Sequence, residues 1–100
     1  MSEQEAAQLT RLQLEATPAA QRADLVEAFL LSSIIALNPT RTEAVSASSR
    51  LADLGIDSIQ LVELKFGLDQ ALGHEIDVEL IIGNPTVGEL ARSGVRAAGL

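Results

Sequence analysis

The segment LADLGIDSIQLVELKFGLDQAL, residues 51–72, decides the fold that this sequence predicts. Asp57 is a favourable N-cap residue, and Gln60 three positions later completes a capping-box pattern. Gly73 directly follows the segment and is typical of the C′ position that ends a helix. These signals predict one helix that begins at Asp57 and ends before Gly73. Gly67 inside it costs roughly 1 kcal/mol relative to Ala, which predicts that another helix approaches closely there.

This helix carries apolar side chains on two faces when it is drawn at roughly 100° per residue. One face consists of four leucines: Leu61, Leu64, Leu68 and Leu72. Ile59, Val62 and Phe66 lie on nearly the opposite side. Two interpretations of Val62 and Phe66 stand at this point: a second core face covered by a neighbouring short helix, or an exposed surface. Ile59 begins the helix, where cover is thinnest, so we expect it to be partly exposed and available to a partner.

Three further helices are predicted outside this segment. Residues 19–37 contain no Gly or Pro and repeat their apolar side chains at helical spacing, and Pro39 ends the helix by disfavouring helical backbone at the residue before it. Residues 78–82, VELII, predict a short helix rather than a strand, because no second segment is available to pair with them. Thr86 then caps a last helix, and Glu89 completes its capping box.

The sequence therefore predicts an all-α fold, a small four-helix bundle with three longer helices and one short helix. Apolar residues are 47% of the 100-residue chain and aromatic residues only 2%, so the core must consist of Leu, Ile, Val and Ala. A long loop, residues 38–57, connects the first two long helices, and a short helical turn is expected within residues 48–53. Four apolar side chains are expected to pin this loop to the core: Val45, Leu51, Leu54 and Ile56. Residues 1–17 predict a linker or flexible N-terminal segment with room for a short helix, and residues 18–98 form the predicted domain.

Composition excludes several classes of function. The chain has no Cys, which rules out disulfides, thiolate nucleophiles and Cys-based metal sites. Its single His, His74, follows a glycine in a polar turn and is interpreted as a solvated turn residue, so acid–base and metal chemistry lack candidate groups. The net charge of −7 argues against nucleic-acid binding and favours attraction to basic partner surfaces.

The sequence also contains no membrane or secretion signal. No apolar run approaches the roughly 20 residues of a membrane span. The N-terminal stretch MSEQEAAQL lacks the basic and apolar regions of a secretory leader. We therefore expect a cytoplasmic location, no membrane partner and a monomeric isolated domain.

Ser58 is the candidate functional residue because it lies in the first turn of the decisive helix. The free backbone N–H groups of a helix start point towards such a position. The positive end of the helix dipole favours a phosphate there by about 0.3–1 kcal/mol. A serine at this position also serves simply as part of the helix cap. Position alone leaves both roles open.

Two stretches carry a resemblance to a known family. Residues 51–64, LADLGIDSIQLVEL, closely resemble the attachment motif of acyl carrier proteins, whose pattern is Leu-Gly-x-Asp-Ser-Leu followed by a Val-Glu-Leu helix. Residues 82–91, IGNPTVGELA, resemble the Asn/His-Pro-Thr-Val-x-x-Leu-Ala signature of polyketide synthase carrier domains. The resemblance covers about residues 20–96. The two motifs at this separation are far more specific than an Asp-Ser pair, although Ile59 stands where the family usually has Leu.

The resemblance implies a non-catalytic carrier domain of a polyketide synthase rather than an enzyme. It implies that a phosphopantetheinyl transferase uses coenzyme A to place 4′-phosphopantetheine on the Ser58 oxygen as a phosphodiester. The thiol at the end of that arm then carries acyl or polyketide intermediates as thioesters. The absence of Cys agrees with this reading, because the reactive sulfur is imported.

The same resemblance implies partner domains, among them a ketosynthase and an acyltransferase. Asp57 and Glu63 are the candidates to meet basic residues of such partners, and Ile59, Val62 and Phe66 are the candidate apolar contacts. Helix capping is a second explanation for Asp57, and a solvated helix position is a second explanation for Glu63. Electrostatic steering suits a carrier that visits several partners briefly.

Three other functions remain open at this point. Peptidyl carriers usually have Gly or His where Ile56 stands, and stand-alone fatty-acid carriers usually lack the Pro-Thr-Val element, so both fit less well than a polyketide carrier. An interaction module of a different class, an acidic helical bundle with an unmodified Ser58, is the remaining alternative.

Overall fold

The computed structural model describes residues 9–40 and 42–100, and these residues form helices and no strand. The five α-helices are α1 Arg11–Glu15, α2 Ala19–Leu37, α3 Ser58–Leu72, α4 Glu79–Ile82 and α5 Val87–Ala97. A 3-10 helix, Leu51–Leu54, interrupts the long connection between α2 and α3. The predicted all-α bundle with a long loop after its first long helix is therefore confirmed, and α1 is added to it.

Side-chain caps begin the two helices for which the sequence predicts them. At α3, Asp57 Oδ1 accepts a hydrogen bond from the Gln60 N–H at 2.8 Å, and Gln60 Oε1 accepts one from the Asp57 N–H at 3.2 Å. At α5, the Glu89 N–H donates to Thr86 Oγ1 at 3.1 Å, and the Thr86 N–H donates to Glu89 Oε1 at 3.0 Å. Each box satisfies donors that a helix start would otherwise leave unpaired.

The core is aliphatic, and no polar side chain of the described residues is buried in it. Helix α2 packs most extensively against α5, and α3 covers both. The largest fully buried side chains are Leu14, Leu30, Ile34, Leu68, Leu72, Ile76, Leu90, Val26 and Val87. Of the leucine face predicted for α3, Leu61 is half-buried and the other three leucines are buried. This face therefore holds α3 in the bundle.

Residues 9–17, which the sequence assigned to a linker, pack onto the bundle. The Leu14 side chain is 0% exposed. Arg11 of α1 donates from Nη1 to the Leu72 carbonyl at 2.8 Å and from Nη2 to the Ala98 carbonyl at 3.0 Å. These carbonyls end α3 and α5, where helices leave acceptors unpaired. The remainder of the predicted linker, residues 1–8, lies outside the described residues.

Arg22 of α2 holds the same end of the molecule together. Its Nε donates to the Leu14 carbonyl at 2.7 Å, and its Nη2 donates to the Glu15 carbonyl at 3.2 Å. Its Nη1 donates to the Leu100 carbonyl at 2.8 Å. Helix α1 and residue 100 therefore meet at the end of the bundle where α3 finishes, opposite the end where α3 begins.

The long loop is attached to the residues that precede and begin α5. The Val87 N–H donates to the Ser49 carbonyl at 2.9 Å, and the Gly88 N–H donates to the Ala47 carbonyl at 2.8 Å. The predicted apolar pins are confirmed: Leu51 and Leu54 are buried, and Val45 and Ile56 are half-buried. The loop is thus a docked segment with a helical turn, as long connections in compact domains usually are.

Gly67 does not have the close helix contact that the sequence predicted. A Cβ built on it would meet Phe29 Cζ at 3.7 Å, which is an ordinary van der Waals separation. The prediction of a close approach is therefore wrong, because α2 lies far enough away at this point for an alanine to fit.

Candidate functional site

Ser58 is the first residue of α3 and lies on an exposed turn that leaves the 3-10 helix. Gly55 makes this turn with φ 68° and ψ 27°, a left-handed conformation that glycine adopts without steric cost. Asp57 follows with extended backbone and caps α3. Gln60 Nε2 also donates to the Leu37 carbonyl at 3.3 Å, which joins the start of α3 to the end of α2. The hydroxyl of Ser58 is thus presented from a rigid helix end.

The Ser58 hydroxyl itself has no hydrogen-bond partner within residues 9–40 and 42–100. The capping interpretation of Ser58 is therefore wrong, because the Asp57 carboxylate occupies that role on the Gln60 N–H. The oxygen is left exposed and unpaired at the surface. An exposed hydroxyl without a structural role in the fold is free to receive a substituent.

The backbone around Ser58 suits a phosphate. In the described part of the chain, the N–H groups of Ser58 and Ile59 have no protein acceptor, as expected for the first turn of a helix. Both N–H groups contribute to the positive end of the dipole of a helix of 15 residues. A phosphodiester on Ser58 Oγ would therefore meet unpaired donors rather than displace existing hydrogen bonds.

His74, the one histidine of the chain, lies too far away to activate the Ser58 hydroxyl. His74 lies just beyond the other end of α3, about 20 Å away at the rise of an α-helix. Around Ser58 the nearest ionisable neighbour in sequence is Asp57, whose carboxylate already accepts the Gln60 N–H. A nucleophilic serine needs an adjacent base, so this arrangement fits a residue that a partner protein modifies.

An exposed apolar strip runs along α3 from the same end. Ile59 is 71% exposed, Val62 is 67% exposed and Phe66 is 61% exposed. The structure thus decides between the two interpretations of Val62 and Phe66, because no helix of the described residues covers them. Glu63 is exposed beside the strip and forms no ion pair in the described part of the chain.

Helix α4 adds an exposed apolar residue that the sequence analysis missed. Ile82 is exposed, and together with Ile56 and Leu61 it lines an open cleft of about 300 Å³ beside the start of α3. The exposure of one isoleucine could have been predicted from the sequence, because the adjacent Ile81 and Ile82 of a short helix cannot both face the core. Ile81 is the buried one of the pair.

Among the described residues, no group of three His, Cys, Asp or Glu side chains is arranged to hold a metal ion. None of the helices in the described ranges has the length and apolar character needed to cross a membrane.

Comparison with known proteins gives one family and two relatives. The model of the family described as "Phosphopantetheine attachment site" matches residues 28–93. The chain is 37% identical over 62 residues to the non-reducing polyketide synthase spyA of Aspergillus fumigatus. The matched stretch is 62% of this chain and 3% of that protein. The chain is 36% identical over 52 residues to the non-reducing polyketide synthase rads2 of Floropilus chiversii, 52% of this chain and 2% of that protein. The chain thus spans only a few per cent of the length of these relatives. No solved structure matches the chain.

Proposed function

Because the chain belongs to the phosphopantetheine attachment site family, we propose that it is the acyl carrier domain of a polyketide synthase and carries its 4′-phosphopantetheine arm on Ser58. The two relatives, both non-reducing polyketide synthases, support this choice of synthase. The observation that carries the assignment of Ser58 is its exposed hydroxyl, which has no partner in the described residues, at the first turn of α3.

Ser58 is the acceptor in this proposal and not the catalyst. Its Oγ bonds to the diphosphate phosphorus of coenzyme A that bears the pantetheine, the P–O bond to the second diphosphate phosphorus breaks, adenosine 3′,5′-bisphosphate leaves, and the hydroxyl proton passes to the transferase. The bound group supplies a thiol that holds an acyl chain. Ser58 and Ile59 offer their backbone N–H groups to the phosphate oxygens, a contribution of about 0.3–1 kcal/mol from the helix start.

Intact mass after incubation with coenzyme A and a broad-specificity phosphopantetheinyl transferase tests the attachment. The wild-type chain should gain one phosphopantetheinyl group, and Ser58→Ala should gain none. Ser32→Ala is the matched control, because Ser32 is also exposed on a helix and should leave the gain unchanged. A wild-type chain that gains no mass would contradict the carrier proposal and favour the unmodified interaction module. A gain by Ser58→Ala would show that another residue holds the arm.

The proposal includes a docking surface for the transferase, the ketosynthase, the acyltransferase and other synthase domains. Its residues are Asp57, Ile59, Val62, Glu63 and Phe66. The three apolar side chains are exposed beside Ser58, which is unusual for large apolar residues unless a partner covers them. The two carboxylates and the net charge of −7 would steer the domain towards basic partners.

Steady-state kinetics of arm transfer test this surface. Val62→Ala and Phe66→Ala should each lower kcat/KM by about threefold or more, because each removes apolar contact area. Glu63→Gln should reduce the salt dependence of the same rate. Ile35→Ala is the control, because Ile35 is also an exposed apolar residue, at 52% exposure, and lies on α2 rather than on α3. Equal losses for Ile35→Ala and Phe66→Ala would contradict the assignment of this face.

The location follows from the same proposal. We place the domain in the cytoplasm, since a chain without Cys gains nothing from an oxidising compartment. Detection of the native protein in a fractionated cell would check this placement.

A further inference from the structure

We propose that Asn84 is a positioning residue that holds the segment presenting Ser58, an inference that rests on the proposed function. Asn84 lies more than 20 residues beyond Ser58 in the chain, in the Asn-Pro-Thr-Val stretch, and is half-buried. Its φ of 56° is the one positive φ among the non-glycine residues of the described ranges. Asn adopts this left-handed conformation more readily than most non-glycine residues, and at this position the surrounding structure constrains it.

The constraint consists of hydrogen bonds to the loop before α3. Asn84 Oδ1 accepts from the Ala52 N–H at 2.9 Å, and the Asn84 carbonyl accepts from Arg50 Nη1 at 3.0 Å. The neighbouring Pro85 carbonyl accepts from the Leu51 N–H at 3.2 Å. The first N–H groups of a helix have no partner within the helix, and here residues 84–85 supply acceptors for the start of the 3-10 turn.

The distance along the chain from this contact to the attachment residue is short. Ala52 precedes Ser58 by six positions, and the left-handed turn at Gly55 lies between them. The buried side chains of Leu51 and Leu54 anchor the 3-10 turn to the core. Asn84 binds the same turn at the Ala52 N–H, a backbone group that these apolar contacts do not fix. Losing this contact would let the turn and Gly55 change conformation while the core of α3 stays packed.

Asparagine combines the two properties that this position requires. Asn, Asp and Gly tolerate positive φ better than other residues. Only Asn and Asp among these three offer a side-chain oxygen to the Ala52 N–H. The variants Asn84→Asp and Asn84→Gly therefore separate the hydrogen bond from the backbone conformation, because both keep the conformation and only the first keeps the acceptor.

Arm transfer measured well below the melting temperature is the first readout. Asn84→Gly should raise the KM of the transferase for the domain by about threefold or more at unchanged kcat, because the transferase must then order the turn on binding. Asn84→Asp should restore the wild-type KM. Val26→Ala is the stability control, because Val26 is buried in the first half of α2, away from the end of α2 that meets the start of α3. It should lower the melting temperature and leave KM unchanged.

Amide hydrogen exchange of the Ala52 N–H is the second readout and needs no transferase. Exchange should be about threefold faster or more in Asn84→Gly, and unchanged in Asn84→Asp. A wild-type KM in Asn84→Gly, or an equal rise in Val26→Ala, would overturn the positioning role whatever the exchange rates show. If the wild-type domain accepts no arm, both the proposed function and the role of Asn84 are overturned. If arm transfer is normal in every variant, only the role of Asn84 is overturned.

Discussion

Glu89 illustrates how one side chain serves two parts of the structure. Its carboxylate accepts the Thr86 N–H in the capping box of α5 and lies 3.8 Å from Arg50 Nη1 of the docked loop. The hydrogen bond from the Thr86 backbone is the main cause that lowers the pKa of Glu89 below its ordinary value of 4.5, and Arg50 adds to it. A carboxyl whose pKa is lower in the folded state stabilises the fold above its unfolded pKa. That stabilisation is lost as the pH falls through the folded pKa.

We therefore expect the stability difference between the wild type and Glu89→Gln to depend on pH. The difference should be present at neutral pH and shrink as the pH falls below 4.5 through the lowered pKa of Glu89. Melting temperatures of both proteins at a series of pH values measure it. Glu43→Gln is the control, because Glu43 is exposed and has no hydrogen bond or ion pair within the described residues. A wild-type advantage that stays constant down to acidic pH would contradict the expectation.

The ends of the helices were easier to predict from the sequence than which face of each helix is covered by its neighbours. The start and end of α3 follow from Asp57, Gln60 and Gly73, because caps act between residues that are close in the chain. The exposure of Phe66 could not be predicted, since both faces of α3 are apolar and only the position of the other helices decides which is covered. The packing of α1 onto the bundle was not predicted although Thr10 and Gln13 form a capping box, because its apolar residues were too few for a periodic pattern.

Gly67 of α3 and Gly94 of α5 should respond differently to replacement by alanine. Gly67→Ala should stabilise the domain by about 0.5–1 kcal/mol, because alanine favours helix and its Cβ would fit against Phe29. Gly94→Ala should stabilise the domain less than Gly67→Ala does, or destabilise it, because the new Cβ would lie 3.1 Å from Cδ1 of the fully buried Leu72. Urea unfolding of both variants measures the difference. A larger gain for Gly94→Ala than for Gly67→Ala would contradict this packing.

Helix α1 packs against the end of the bundle opposite Ser58. Arg11 pairs the last carbonyls of α3 and α5, and Arg22 joins α1 to Leu100. The contacts of Arg11 with Leu72 and Ala98, and of Arg22 with Leu100, link residues whose positions in the sequence differ by 61 to 87. Sequence patterns read local spacing, so the predicted domain of residues 18–98 could not include them.

Deletion of residues 1–17 should therefore destabilise the domain by at least about 2 kcal/mol. The deletion removes the buried Leu14 side chain and the carbonyls that Arg22 pairs. Deletion of residues 1–8 alone is the control that keeps α1. Free energies of unfolding from urea titration compare the two. Equal stability of both shortened chains would show that residues 9–17 form a linker and that residues 18–100 suffice for the fold.

The position of Leu100 has a consequence for reach. Helix α3, at roughly 20 Å for its 15 residues, separates the end of the bundle that holds Leu100 from the end that presents Ser58. A tether joined to the domain at Leu100 would leave from the end of the bundle that lies away from the hydroxyl. The folded domain would then act as a rigid extension between tether and cargo, adding its own length to the radius that the thiol can sweep. It would also keep the tether clear of any enzyme that closes over the serine.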